Sequence, residues 1–342
     1  MPYLGPSFSM SHHRLQRLPL QDLALAPSSL KAYTKQLQSF LIHSRLSRKQ
    51  LYNLSALRLD RALALYIQHC YDSSIPFQYA AHALHAIIFH RLDLKPKLHQ
   101  ARACLKGWER VKKAQSHPPL TWELTCVIAS TLARSGYHGP AIGMLLGFDC
   151  YLRVSELTHL RRQDIVMPHD ARMGRADTGM AVILKHTKTG KNQSVTIHRL
   201  EVAQLLCSWV RGLPRTVGPC GLVFNFSPQW FGRLIRNACV ELGLGHIPYV
   251  PHSLRHGGAT ADFLSKGSVE YVHFRGRWKS IESLRTYIQT ARALLAAQNV
   301  PPRFNTLGLL LSDDIAAVIT DCIRTVAEVV PRGRAHSVTF RL

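Results

Sequence analysis

Residues 250–260 read VPHSLRHGGAT. Within five positions His252, Arg255 and His256 place two imidazoles and a guanidinium at what reads as a helix start, and Gly257 and Gly258 follow directly. Metal, phosphate and plain solvent are the partners such a group can have, and the choice among them decides the fold. Histidines four apart suit a zinc pair on a helix. The zinc-protease pattern, however, needs Glu after the first His, and Ser253 stands there. No CxxC pair and no further His at useful spacing completes a metal set, and Arg255 between the imidazoles would repel a cation. A phosphate fits better. Free N–H groups at a helix N-terminus favour an anion, and the Arg255 fork can hold two phosphate oxygens. No metal is expected.

The composition points the same way. The chain has 342 residues, 46% of them hydrophobic, and a net charge of +23. That length gives room for two domains and a sizeable core. The charge is an argument about partners, not about fold. The simplest partner is nucleic acid, with a basic amphipathic surface on a membrane as the alternative. Residues 1–116 carry 17 Lys and Arg against 5 Asp and Glu, and the remainder carry 26 against 15, so both parts are strongly basic. That distribution suits two domains that touch phosphate, not a basic tail on a neutral enzyme. No apolar run approaches about 18 residues, so no membrane span is expected. No apolar core precedes a cleavage site near the N-terminus, so no secretory signal is expected either. The eight cysteines form no CxxC pair and several sit in apolar runs, which predicts buried thiols in a reducing compartment.

Residues 1–26 hold three prolines and little periodicity and read as a loose arm. From Pro27 the period turns helical. PSSLKAYTKQLQSFLIHSRL opens on a Ser cap and sets Leu30, Tyr33, Leu37, Phe40 and Leu41 on one face. SALRLDRALALYIQHCYD, PFQYAAHALHAIIFHRLD and LHQARACLKGWERVKKAQ supply three more helices, so residues 27–113 predict a small bundle. AQSHPPLTW reads as a linker, placed at 114–120, and the second domain runs from 121 to 342. It starts with buried-looking helices in ELTCVIASTLAR and GPAIGMLLGFDCYL. MAVILKHTKTGKNQSVTIH changes period and predicts a β-hairpin with a basic turn. Helices resume at Glu201, Trp230 and Ser253, and DDIAAVITDCIRTVAEVV forms a C-terminal helix with an acidic start.

Three further groups carry chemistry. In LLGFDCYLRVSELTHLRRQDI, Arg153 precedes Glu156 by three residues, which puts both on one helical face. An Arg that follows so apolar a run sits near a core edge and needs a carboxylate to orient it and an anion to bind. Lys188 lies at the tip of the basic hairpin, solvated or reaching into a groove. GRWKSIESLRTYI holds Trp278 and Tyr287, core aromatics by themselves, with Ser280 as a helix cap between them.

Taken in order, these groups resemble the tyrosine recombinase (phage integrase-like) family. YLRVSEL looks like its first box, HSLRHGGAT its second, RWKSIESLRTYI its tyrosine box and HTKTG its lysine hairpin. The likeness covers about residues 27–290, because SLKAYTKQLQSFL onward looks like the family's helical core-binding domain. Many members have Gly-His ahead of the tyrosine segment, where this chain has Arg277-Trp278. Cre-type recombinases also carry Trp there, and GRWKS looks most like the recombinases of eukaryotic mobile elements, the DIRS-type retrotransposons and Cryptons.

The resemblance implies a mostly α fold with a small β-sheet: a helical core-binding domain and an α+β catalytic domain. It implies that Tyr287 attacks the scissile phosphate and forms a 3′-phosphotyrosyl link. Arg153 and Arg255 clamp the non-bridging oxygens, and Lys188 is the general acid. His252 is a phosphate ligand and base, while Trp278 donates its indole N–H to the phosphate or buttresses Tyr287. Glu156 holds Arg153, and His256 is a packing residue. Lys31, Lys35, Lys191, Arg277 and Lys279 are placed as DNA contacts. Double-stranded DNA is the partner, no cofactor is needed, and the family works as a tetramer on two sites, with the C-terminal helix a candidate for exchange between copies. A eukaryotic host would put the protein in the nucleus, a bacterial one in the cytoplasm. An inactive transposon-derived DNA-binding protein and a type IB topoisomerase-like enzyme are the alternatives.

Overall fold

The computed structural model describes residues 19–111, 117–168, 170, 179–185, 193–288 and 290–329. These divide between 111 and 117 into two compact units. The first is helical throughout: α1 (Leu20–Leu23), α2 (Pro27–His43), α3 (Arg48–Asn53), α4 (Ala56–Asp72), α5 (Phe77–His90) and α6 (His99–Val111). Helix α2 starts with Pro27 in its first turn and Ala26 before it, without a side-chain cap. The expected Ser cap is therefore not used, because proline already lacks the N–H that a cap would satisfy. The short helices α1 and α3 were not expected. Helix α3 is held by a reciprocal pair in which Ser47 and Gln50 each accept the other's backbone N–H.

In α4, Leu59, Leu63, Tyr66, Ile67 and Cys70 fall on one face and are buried. They meet Leu37 and Phe40 of α2, Leu84 and Ile87 of α5, and Leu105 and Trp108 of α6. One charge lies inside this core. Asp60 is buried, and its two oxygens accept the N–H groups of Gln100 and Ala101, each at 2.9 Å, in the first turn of α6. That is where a helix leaves its donors free.

The second unit contains α7 (Trp122–Arg134), α8 (His138–Asp149), α9 (Val154–Thr158), β1 (Ile165–Val166), β2 (Met180–Leu184) and β3 (Gln193–Ile197). They are followed by α10 (Leu200–Gly212), α11 (Pro228–Glu241), α12 (Pro251–Lys266), α13 (Val269–Gly276), α14 (Ile281–Arg285), α15 (Thr290–Gln298) and α16 (Pro302–Val329). The expected hairpin pairs antiparallel, from Met180 opposite Ile197 to Leu184 opposite Gln193. A third strand, β1, joins it with Ile165 opposite Val182. Two residues are too few to show a period of two, so β1 was invisible in the sequence. The hairpin tip, with Lys188 and Lys191, lies outside the described residues.

Helices α7 and α8 form the centre of the core. Leu120, assigned by sequence to the linker, belongs to this core too, and its N–H donates to the Ser253 carbonyl at 3.1 Å. The two glycines after His256 now have a reason. A Cβ at Gly257 would run into the Leu120 carbonyl, and one at Gly258 into the Phe148 carbonyl. Helix α12 therefore lies backbone to backbone against the chain entering α7 and the end of α8.

The C-terminal helix begins at Pro302, well before the acidic pair from which it was expected. Its Phe304, Leu311, Ile315 and Ile319 join the core of their own unit. Gly308 lies so near α7 that a Cβ would stand 2.6 Å from the Glu123 carbonyl oxygen. Exchange of this helix between copies would have to break that packing. All eight cysteines are free. Cys70, Cys126, Cys150 and Cys239 are buried as expected, whereas Cys220 is exposed. Among the described residues no helix is long and apolar enough to cross a membrane.

Candidate active site

The chain leaves α8 through Tyr151, whose backbone is left-handed (φ 47°). That turn delivers Arg153 to the position just ahead of α9. Arg153 and Glu156 therefore do not share a helical face as the spacing suggested. Glu156 caps the helix start instead. Its Oε2 accepts the Arg153 backbone N–H at 2.9 Å, and its Oε1 accepts from the Arg153 guanidinium at 2.6 Å. The Glu156 side chain is almost wholly buried, while 18% of the Arg153 side chain meets solvent. Arg153 thus reaches outward from a fixed carboxylate.

Helix α12 contributes the rest of the opening stretch. Val250 precedes the helix and Pro251 takes its first turn. Arg255 is fully enclosed. It donates to the Tyr151 carbonyl and, at 2.7 Å, to the Gly276 carbonyl. Its guanidinium carbon lies 4.4 Å from the centre of the Trp278 ring and 5.3 Å from that of Tyr287. Burial and the nearby Arg153 and Arg277 pull its pKa down to about 10, against the opposing pull of Glu156 and Tyr287. It stays protonated at neutral pH.

Tyr287 follows α14, which Ser280 caps as the sequence suggested. Its carbonyl accepts the Thr260 hydroxyl at 3.2 Å, and the His256 ring hydrogen-bonds to the same backbone. Its own ring is surrounded: His256 stacks at 4.8 Å between centroids, Trp278 lies at 4.9 Å and His252 at 5.3 Å. The structure thus brings together Arg153, Glu156, His252, Arg255, His256, Trp278 and Tyr287. The Trp278 ring lies against Arg255 and Tyr287, and its indole N–H is buried without a protein partner.

Both histidines are held neutral. Burial first, then His252, hold the pKa of His256 at about 4. His252 is likewise lowered to about 4, by burial of its inner side, then Arg255, His117 and Arg153. His252 also keeps an edge open to solvent, and water there softens the effect, so His256 is the cleaner reporter. Its folded pKa lies below its ordinary 6.5, so the unfolded chain takes up the proton first as pH falls. Stability is complete above about 6.5 and is lost on descent toward 4. We expect the melting temperature to fall between pH 7 and 4.5, with a shallower fall in His256→Asn. Parallel curves for the two proteins would contradict this assignment.

Sequence reasoning placed Arg277 among the DNA contacts on the surface, whereas the structure buries it. Arg277 is 8% exposed and faces inward, donating to Glu156 Oε2 at 3.2 Å and to the Cys150 and Arg275 carbonyls, each at 3.4 Å. Lys279 is exposed, as are Lys31 and Lys35 on α2. A second buried group escaped the sequence reading. Arg275 donates to the Asp149 carbonyl at 2.6 Å and to the Thr196 carbonyl at 3.2 Å, and its NH1 lies 2.6 Å from His198 Nε2. It ties β3 to the end of α8 behind the site. An Asp inside the apolar run GFDCYL was the available signal. Among the described residues no group of three or more His, Cys, Asp or Glu is placed to hold a metal ion.

No protein-family model and no curated protein sequence matches the chain. Solved structures do. One is the integrase of the Tn1549 transposon in complex with transposon right end DNA, at 11% identity and a TM-score of 0.56, covering 82% of this chain and 97% of that one. Another is the XerH site-specific recombinase bound to palindromic difH substrate in a post-cleavage complex, at 15% identity and 0.54, covering 84% of each. A third is a lambda integrase dimer bound to a COC′ core site, at 15% and 0.53, covering 82% and 95%. These likenesses establish the fold: mostly helical with a small antiparallel sheet, as in the tyrosine recombinases.

Proposed function

We propose that the chain is a tyrosine site-specific recombinase or integrase, which cuts and rejoins DNA strands during integration or excision of a mobile element. The observation that carries this reading is the enclosure of the Tyr287 ring by His252, His256, Trp278 and Arg255. Two separate sequence motifs converge there on one half-buried phenol beside the Arg255 guanidinium, and Arg153 of a third motif lies near Arg255.

The chemistry follows from these groups. The Tyr287 oxygen attacks the scissile phosphorus and forms a P–O bond as the bond to the 5′ oxygen breaks. His252, held neutral, accepts the phenolic proton. Lys188, assigned by the family resemblance, returns a proton to the leaving oxygen. Negative charge gathers on the non-bridging oxygens, where Arg153 and Arg255 face it with donors fixed beforehand; one such donor is worth about 3 kcal/mol. The phosphotyrosyl link keeps the energy of the broken bond, so rejoining runs the same steps backward without ATP. The helical unit, with Lys31 and Lys35, and the exposed Lys279 add phosphate contacts, which makes binding salt-sensitive. Assembly of four copies on two sites belongs to this reading, as does a nuclear location in a eukaryotic host.

The test is a nicked or suicide duplex carrying the terminal sequence of the encoding element, run on a denaturing gel. The full-length protein is expected to leave a covalent protein–DNA adduct. Tyr287→Phe is expected to bind the same duplex with the same salt dependence and leave none. An adduct that survives in Tyr287→Phe would sink the assignment.

A further inference from the structure

Arg277 occupies a position that does not suit it by ordinary rules. Its backbone is left-handed, φ 58° and ψ 39°, at the end of α13, where glycine meets no steric penalty. Its guanidinium is buried near Arg153 and Arg255, and burial first, then Arg153, makes its charge harder to keep, against the opposing pull of Glu156. A residue held against both backbone and charge preferences points to a local task.

Its partners identify that task. Its charged partner is Glu156, through Oε2 at 3.2 Å. The same oxygen accepts the Arg153 backbone N–H, and the other oxygen holds the Arg153 side chain. Only 4% of the Arg277 side chain is exposed, against 18% for Arg153, so of the two guanidiniums that Glu156 holds, Arg153 is the one that reaches outward. A lone Glu156 would neutralise Arg153 as a simple ion pair. Shared between two guanidiniums, one carboxylate leaves a positive charge over, and the outward-facing member of the group is Arg153.

We infer that Arg277 is a positioning residue: it fixes Glu156 from behind and leaves Arg153 with surplus positive charge to turn toward the scissile phosphate. This rests on the recombinase reading above. Its consequence is specific, because Arg277 then acts on the charge of a non-bridging oxygen and nowhere else in the reaction.

A methylphosphonate at the mapped cleavage position tests this, since it replaces one non-bridging oxygen by a neutral methyl group in either of two configurations. Single-turnover cleavage by full-length protein is compared for wild type, Arg153→Ala, Arg277→Gln and Arg277→Lys, with melting temperatures as the check on folding. On the ordinary diester, Arg277→Gln is expected to cleave roughly 10–100-fold more slowly, as for other residues that orient a functional group. Arg277→Lys keeps the charge and stem and is expected to fall between it and wild type. One configuration of the methylphosphonate is expected to restore Arg153→Ala, and that same configuration is expected to remove most of the Arg277→Gln deficit. If Arg153→Ala is restored and neither Arg277 variant is, Arg277 is a packing residue and the inference is wrong. If neither configuration restores Arg153→Ala, the phosphate-clamp reading of Arg153 fails and the role of Arg277 falls with it. Should Arg277→Gln not fold, Arg277→Lys carries the same comparison.

Discussion

Arg255→Ala is expected to abolish adduct formation and, at the same time, to lower the melting temperature of the second unit. The two losses share one cause. Arg255 has no exposed surface and donates to the Tyr151 and Gly276 carbonyls. Each carbonyl left unpaired inside the protein costs about 1–3 kcal/mol. The stacking of the guanidinium on Trp278 at 4.4 Å goes as well, worth about 2 kcal/mol when shielded from water. On the chemical side, removing one donor aimed at developing charge slows such reactions by roughly 10²–10³-fold. Arg255→Lys separates the effects. It keeps a positive charge but not the planar fork that satisfies two carbonyls at once. Its melting temperature is expected to recover in part, while its cleavage rate stays at least ~100-fold down. Calorimetry and single-turnover cleavage on the same preparations check both. A lysine variant that cleaves at the wild-type rate would show that charge alone is enough.

The largest effect on folding is expected from Gly258→Ala. The added methyl group meets the Phe148 carbonyl, and the Tyr151 ring at 2.6 Å. Backbone cannot rotate away as a side chain does, so α12 as a whole must back off from α8. Overpacking in a well-filled core costs about 1–3 kcal/mol, and here the shift also drags His252, Arg255 and His256 off the Tyr287 ring. We expect soluble yield and melting temperature to fall together. The same change at Gly107, inside α6 with nothing within 4 Å, should stabilise by about 0.5–1 kcal/mol, since Ala is the better helix former. Thermal melts of the two proteins against wild type decide the matter. A Gly258→Ala protein that melts like wild type would mean that α12 is not in backbone contact with α8.

Much of this was legible because it is periodic or local. The helices of the first unit announce themselves through Leu59, Leu63, Tyr66 and Ile67, and the hairpin through its change of period between Met180 and Ile197. Ser280 as a cap is a relation between neighbours. The motifs that compose the site were visible too, because residue types and order carried them. What failed is non-local. In GRWKS, Arg277 read as a surface contact beside Lys279, yet it turns inward, as does Arg275, which the sequence reading did not single out. Nothing in a one-dimensional pattern states that Glu156, 121 positions away, faces Arg277. The backbone sign at Arg277 is equally silent in sequence. The Ser cap of α2 failed for a simpler reason: proline at the helix start outranks the serines that follow it. Prolines 301 and 302 gave the same signal for the start of α16.

Arg153, Arg255 and Tyr287 sit together within a single polypeptide, and on the proposed reading this has a genetic consequence. The attacking group and its cradle are inherited as one unit. Two defective alleles, one lacking the tyrosine and one lacking an arginine, do not make up each other's loss when mixed.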